Sequence, residues 1–163
     1  MIKFPIQPPF FKKFVIIMFK INITPNIEEI NALRQVRNTT IPIWFETARI
    51  DLIKIFNPEC DLSYKKWNLL LVNMDFNFLK PVLYGYEVEI RTYLLNVGKT
   101  SFTTIQEVWQ NGILKVNGRS TLIYYDFIRE KSCVIPEEIR VILKEHIITK
   151  EDLDNKNKKE IKN

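Results

Sequence analysis

The sequence contains few of the residues that carry the commonest enzyme chemistry. Its 163 residues include one histidine, two cysteines and four glycines. Cys60 and Cys133 are far apart and form no Cys-x-x-Cys pair, and with the single His146 they cannot supply an ordinary zinc ligand set. Isolated cysteines of this kind are typical of a reducing compartment. We therefore expect a cytoplasmic protein with no metal site.

Long hydrophobic runs are also absent. The apolar run at residues 14–19 follows Lys12 and Lys13, but it is far shorter than the roughly 20 residues that a membrane span needs. No cleavage site of small residues follows it, so it does not have the form of a signal peptide. We expect no membrane partner.

The formal charge of +5 is concentrated near the ends of the chain, in Lys3, Lys12, Lys13 and residues 156–162. No basic stripe interleaved with aromatic residues is present, so the charge favours a solvated surface over a nucleic-acid site. The same charge also suits a ligand that carries phosphates.

The composition is sufficient for one packed domain, because 46% of the residues are apolar and 12% are aromatic. Residues 1–17 carry three prolines and no periodicity, so they are expected to be an arm or the result of a misassigned start, with Met18 as the alternative start. Residues 18–148 form the expected domain. The polar residues 149–163 are expected to be disordered.

The first half of the domain predicts one strand and one long helix. Residues 19–24 alternate between apolar and polar, which is the period of a half-buried strand. A capping residue at Asn38 followed by a proline in the first turn predicts a helix start, and Asn57 with Pro58 predicts its end. Apolar residues recur along this segment at helical spacing, at Ile41, Phe45, Ala48, Leu52 and Ile55.

The second half predicts an antiparallel meander. Four segments rich in β-branched and aromatic residues are separated by short turns, the last of which is Asn111-Gly112, a pair typical of tight hairpins. A short amphipathic helix is predicted from Pro136. A long helix followed by a meander indicates an α+β domain in which a curled sheet surrounds the central helix. The four predicted strands are residues 68–79, 86–96, 101–110 and 113–127.

Residues 31–49 carry a resemblance to a known family. This segment resembles the signature of hydroxybenzoyl-CoA thioesterase-like hotdog enzymes, in which an acidic residue is followed by a Gly-His-Val-Asn-Asn-like run and then by Phe-Glu-x-Ala-Arg. The later order of strand, proline turn and strand also matches, over residues 19–146 in all. The resemblance implies a hotdog fold and hydrolysis of acyl-CoA thioesters. The matching residues are Val36, Asn38, Trp44, Phe45, Glu46, Ala48 and Arg49.

The sequence departs from this signature where the family places its catalytic groups. The acid falls at Asn31, the histidine at Gln35, the glycine at Arg34 and the first asparagine at Arg37. An amide cannot accept a proton as a carboxylate does, so Asn31 is expected only to orient water or a carbonyl. Glu46 is the nearest alternative base, and its competing role is an ion pair with Arg49.

The electrophilic part of the implied site depends on the backbone. The N–H groups near Val36, Arg37 and Asn38 are expected to polarise a thioester carbonyl, and the competing role of the Asn38 side chain is to cap the helix. Gln35, Ile41 and Phe78 complete the site as expected substrate contacts.

Two functions follow from the resemblance. The first is an acyl-CoA thioesterase, with coenzyme A as part of the substrate and no other cofactor. The second is a non-catalytic binder of acyl thioesters, carried by coenzyme A or by an acyl carrier protein, in which the base has been lost. A dehydratase is disfavoured because His146 lies beyond the implied site. A curled sheet leaves strand edges to be covered, so we expect a homodimer or homotetramer.

Overall fold

The computed structural model describes residues 17–161, so most of the expected N-terminal arm at residues 1–17 lies outside the described residues. Up to residue 148, the main strands and helices follow the order that the sequence analysis expects. Their bounds are β1 (Phe19–Ile23), α1 (Thr40–Ala48), α2 (Ile50–Phe56), β2 (Leu69–Phe78), β3 (Val88–Val97), β4 (Ser101–Gln110), β5 (Ile113–Asp126), β6 (Lys131–Ser132), α3 (Glu137–Lys144) and α4 (Lys150–Ile161).

One antiparallel sheet organises the domain, with the strand order β1-β3-β4-β5-β2 and with β6 paired to β5. The hairpin between β4 and β5 turns at Asn111 and Gly112, both of which have positive φ, as a tight hairpin requires. Because β2 pairs with β5 alone among the described strands, its other edge is open.

The helices α1 and α2 pack on one face of the sheet and form two adjoining cores. The first core joins α1 to β3, β4 and β5 through residues such as Phe45 and Val108, and the second joins α2 to the same strands and to α3. Burial of each large apolar side chain contributes about 1.5–3 kcal/mol. This arrangement confirms the α+β class and the hotdog architecture expected from the sequence.

The structure differs from the expected helices at two places. The long helix is divided at Arg49, where ψ is −1°, and it continues as α2. The sequence analysis expects disorder at residues 149–163, but residues 150–161 form α4. This helix packs on the outer face of the sheet, where Leu153 is buried beside Tyr93.

Candidate functional site

A cleft of about 620 Å³ lies between the start of α1 and the end of β2. It brings together seven of the eight residues that the sequence analysis assigned to the site: Asn31, Gln35, Val36, Arg37, Asn38, Ile41 and Phe78. The remaining wall comes from the start of α1, from the segment that follows β2 and from β5, through Thr39, Leu79, Lys80, Pro81, Val82 and Val116.

Glu46 is the expected site residue that does not line the cleft. It is exposed on α1, eight residues beyond Asn38, which is about 12 Å along a helix axis. The alternative expectation, an ion pair with Arg49, is not met either. Arg49 points into the core, where its Nη1 donates to Gln106 Oε1 at 3.0 Å and to Ser120 Oγ at 2.9 Å.

The buried Arg49 guanidinium joins the end of α1 to the sheet. Gln106, which accepts from Arg49, also donates from Nε2 to the carbonyl oxygen of Phe45 at 2.9 Å. Burial lowers the pKa of Arg49 to about 10, and the charge of Glu46 opposes this shift. Arg49 therefore remains charged at neutral pH and orients α1 above the strands.

Asn31 shapes the loop that precedes α1. Its Oδ1 accepts hydrogen bonds from the backbone N–H groups of Leu33 at 2.9 Å and Gln35 at 3.1 Å. The Nδ2 group donates to no acceptor among residues 17–161. Because Asn31 also lines the cleft, this amide group is available to a ligand there.

Arg34 occupies the position at which the resembled family has glycine, and its φ is 58°. This left-handed conformation is strained for a residue with a side chain and is easy for glycine. The loop is nevertheless held in place, because the Arg34 carbonyl oxygen accepts from Tyr84 N at 3.0 Å and the guanidinium lies 5.6 Å from the Tyr84 ring centre. The turn that glycine usually permits is therefore formed without it.

Two of the three expected backbone donors of the cleft are already engaged. Val36 N donates to Val82 O and Arg37 N donates to Glu29 O, each at 2.9 Å, so neither N–H is free. The N–H groups of Asn38 and Thr39 donate to no protein acceptor within the described part of the chain. Both residues line the cleft at the start of α1, and no described side chain caps this helix start.

The available donors at the helix start are therefore Asn38 and Thr39. Thr39 was missed by the sequence analysis, although its place next to the predicted capping residue was a signal. An uncapped helix start of this kind favours negative charge, such as the charge that develops on a carbonyl oxygen during nucleophilic attack.

The side chains of the cleft carry positive charge. Arg37 and Lys80 line it, and none of the described lining residues carries a carboxylate. The nearby Glu29 is engaged elsewhere, since its carboxylate accepts from Trp44 Nε1 at 2.9 Å and from Asn26 N at 2.7 Å. Within residues 17–161, one copy of the chain thus offers donors and cations at this site but no carboxylate base.

Two further observations limit the chemistry of the described region. No group of three or more His, Cys, Asp or Glu side chains between residues 17 and 161 is placed to hold a metal ion. In the same region, no helix is both long and apolar enough to cross a membrane.

Comparisons with known proteins agree with the fold. Residues 25–143 match the family model of the thioesterase-like superfamily. A Bacillus stearothermophilus protein described as a predicted thioesterase is 35% identical, with a TM-score of 0.77, and the match covers 82% of this chain and 98% of that one. No curated protein sequence matches the chain significantly.

Two more distant structures share the fold and contain coenzyme A. A Thermus thermophilus thioesterase complexed with coenzyme A and Zn is 21% identical, with a TM-score of 0.68, over 77% of this chain and 90% of that chain. A Staphylococcus aureus protein in complex with CoA is 11% identical, with a TM-score of 0.71, over 81% of this chain and 87% of that chain. On the family match and the 35% identical structure, the chain belongs to the thioesterase-like superfamily and has its hotdog fold.

Proposed function

We propose that the chain binds acyl-CoA thioesters in this cleft and hydrolyses them slowly to the free acid and coenzyme A. The observation that carries this proposal is the uncapped start of α1, where Asn38 and Thr39 line the cleft and their N–H groups have no acceptor among the described residues. Ile41 and Phe78 supply apolar wall for an acyl group. The coenzyme A complexes of structural neighbours support the substrate class.

The reaction needs a hydrogen-bond donor to the carbonyl oxygen, and it needs a water molecule as the nucleophile. Water attacks the thioester carbon while the carbonyl oxygen, as it becomes negative, accepts hydrogen bonds from the Asn38 and Thr39 N–H groups. The tetrahedral intermediate then breaks its C–S bond, releasing the acid and the thiolate of coenzyme A. The proton of the attacking water passes to solvent, and the thiolate takes a proton from solvent.

The slow rate follows from the missing base. Asn31 holds a polar group in the cleft, but an amide orients water without removing its proton. General base catalysis typically contributes about a hundredfold to ten-thousandfold. We therefore expect turnover below that of an enzyme with a carboxylate at this position.

The absence of a lining carboxylate also supports a second candidate function. In it the cleft binds an acyl thioester of coenzyme A or of an acyl carrier protein and releases it unchanged. Both candidates use the same cleft, and both place the protein in the cytoplasm, a compartment that suits the free cysteines Cys60 and Cys133. Nucleic acid is a partner in neither.

The helix-start donor can be tested with Thr39→Pro. Thr39 has φ −68°, which proline adopts without strain, and its N–H makes no protein hydrogen bond that would be lost. The substitution removes one carbonyl donor, so kcat should fall by about a hundredfold while the melting temperature stays close to that of the wild type. Release of free thiol from acyl-CoA measures the rate.

Thr39→Ala is the matched control, because it removes the side chain and keeps the N–H. Its activity should remain within about threefold of wild type, since lost side-chain contacts at an exposed residue have small effects. Equal activity of Thr39→Pro and Thr39→Ala would exclude the Thr39 N–H as a carbonyl donor.

We further propose that the chain forms a homodimer through the open edge of β2. Four large apolar side chains are exposed in and just after this strand: Leu71, Val72, Phe78 and Leu79. A long apolar edge is a template for pairing with another strand. Antiparallel pairing of two copies about a two-fold axis would place the end of β2, and with it the cleft, beside the start of β2 in the other copy.

Light scattering at micromolar concentration tests this assembly. The mass should be twice the 19.5 kDa of the chain, or four times if dimers pair again. The variant Leu71→Lys/Val72→Lys puts two charges at the edge and should shift the mass toward one chain. A wild-type protein that stays monomeric would contradict the proposed assembly.

A further inference from the structure

The Lys115 side chain is largely buried, while its ammonium group keeps contact with solvent. Only 8% of the residue is exposed, and its ammonium group forms no hydrogen bond or ion pair with any residue in the described region. The strand β4 pairs Val108 with Val116 and Trp109 with Leu114, so Lys115 is the extra residue of a β-bulge. Bulges are frequent next to functional sites, where they re-aim a side chain.

The backbone attaches Lys115 to the wall of the cleft. Its carbonyl oxygen accepts from Leu79 N at 2.9 Å and from Lys80 N at 3.0 Å, and both donors belong to residues that line the cleft. The next residue in β5, Val116, also lines it. Lys115 does not itself line the cleft, but these bonds hold its backbone beside Lys80, which does.

The two lysines form a local excess of positive charge. Burial lowers the pKa of Lys115, and the charge of Lys80 lowers it further. Neither lysine has a carboxylate partner in the described region, in contrast to Lys20, Lys54 and Lys66, which do. A partly desolvated cation without a partner is costly, and an anionic ligand would offset that cost.

We propose that Lys80 and Lys115 bind a phosphate group of the coenzyme A moiety. This inference rests on the proposed function, since it assigns the end of the ligand opposite to the thioester. It also predicts that a phosphate group contributes most to the difference in affinity between coenzyme A and smaller thiols.

Calorimetric titration with coenzyme A and with pantetheine, which has the same thiol arm and no phosphate, tests this assignment. The variant Lys80→Gln/Lys115→Met removes both charges, and methionine keeps most of the buried stem. Its Kd for coenzyme A should rise by about tenfold or more, because charge-assisted contacts are strong, while its Kd for pantetheine should change less than twofold. Lys99→Gln, an exposed lysine outside the cleft, is the matched control and should leave both constants unchanged.

Dephospho-coenzyme A identifies the phosphate. If the double variant weakens its binding equally, the lysines bind the diphosphate, and if the weakening disappears, they bind the 3′-phosphate. Lys80→Gln alone, at an exposed residue, supplies the same comparison if the double variant unfolds.

The outcomes separate this inference from the proposed function. Binding of coenzyme A with unchanged Kd in the variants, or equal weakening for coenzyme A and pantetheine, would overturn the phosphate site and leave the cleft proposal intact. Binding and phosphate dependence without hydrolysis would support the phosphate site and favour the non-catalytic binder. A wild-type protein that binds no coenzyme A would overturn both.

Discussion

The Asn31→Asp variant should hydrolyse acyl-CoA about a hundredfold faster than the wild type. The carboxylate is the same size as the amide, so one oxygen can keep the hydrogen bonds from Leu33 N and Gln35 N that shape the loop. The other oxygen then replaces Nδ2 and faces the cleft as a general base. The expected gain is the lower end of the range for general base catalysis.

The measurement is thiol release from short, long and aromatic acyl-CoAs, with kcat and KM determined separately. The base should raise kcat and leave KM within about threefold, because it acts on water and not on binding. A wild type with no turnover and an active Asn31→Asp would show that the natural protein is a binder. An Asn31→Asp variant no faster than wild type would mean that Asn31 does not face the attacking water.

Glu46→Gln is the comparison that addresses the displaced base. Glu46 is exposed and lies outside the cleft, so this variant should keep wild-type kcat within about twofold. Loss of activity in Glu46→Gln would show that Glu46 takes part in the reaction.

The strands could be predicted closely because their signals are local. The expected strand at residues 113–127 is β5 at Ile113–Asp126, since the Asn-Gly turn fixes where it begins. The same holds for 101–110, which matches β4. Alternating or continuous apolar character over about ten residues predicts a strand without knowledge of the rest of the chain.

The helices were harder to predict because distant contacts determine them. The helix divides at Arg49, whose guanidinium donates hydrogen bonds to Gln106 and Ser120. These residues lie 57 and 71 positions later in the sequence. The helix α4 has a polar sequence, and its side chains form hydrogen bonds with the outer face of the sheet. One of these bonds joins Lys156 Nζ, the donor, to Tyr93 Oη at 2.6 Å. Composition alone indicated disorder, since it does not record such pairs.

The residues of the cleft were predictable, but their hydrogen bonds were not. The motif resemblance named Asn31 and Asn38, and both line one cleft. Which backbone N–H groups are free depends on acceptors elsewhere, such as Val82 O for Val36 N, and this pairing is set by the return of the chain after β2. Tertiary structure therefore removes Val36 and Arg37 from the expected donors, keeps Asn38 and adds Thr39.

Gly118→Ala should destabilise the fold strongly, and far more than Gly98→Ala. Gly118 lies in β5 beneath α1, and a Cβ there would lie 2.4 Å from the carbonyl oxygen of Asp75 and 2.9 Å from Phe45 Cε2. Phe45 is fully buried and Asp75 O is backbone, so neither can move away cheaply. A glycine within a strand often marks such a close approach.

The expected cost is about 3 kcal/mol, which lowers the melting temperature of a domain of this size by about 6–12 °C. Thermal unfolding followed by circular dichroism measures it, with Gly98→Ala as the control. There the nearest atom to an added Cβ is Ser101 O at 3.3 Å, in an exposed turn, so the change should stay below about 1 kcal/mol. Because Phe45 belongs to α1, the methyl group should also displace the helix start and weaken binding of coenzyme A. Unchanged stability of Gly118→Ala would show that α1 does not pack this closely on β5, and the position of the cleft at the start of α1 would have to be revised.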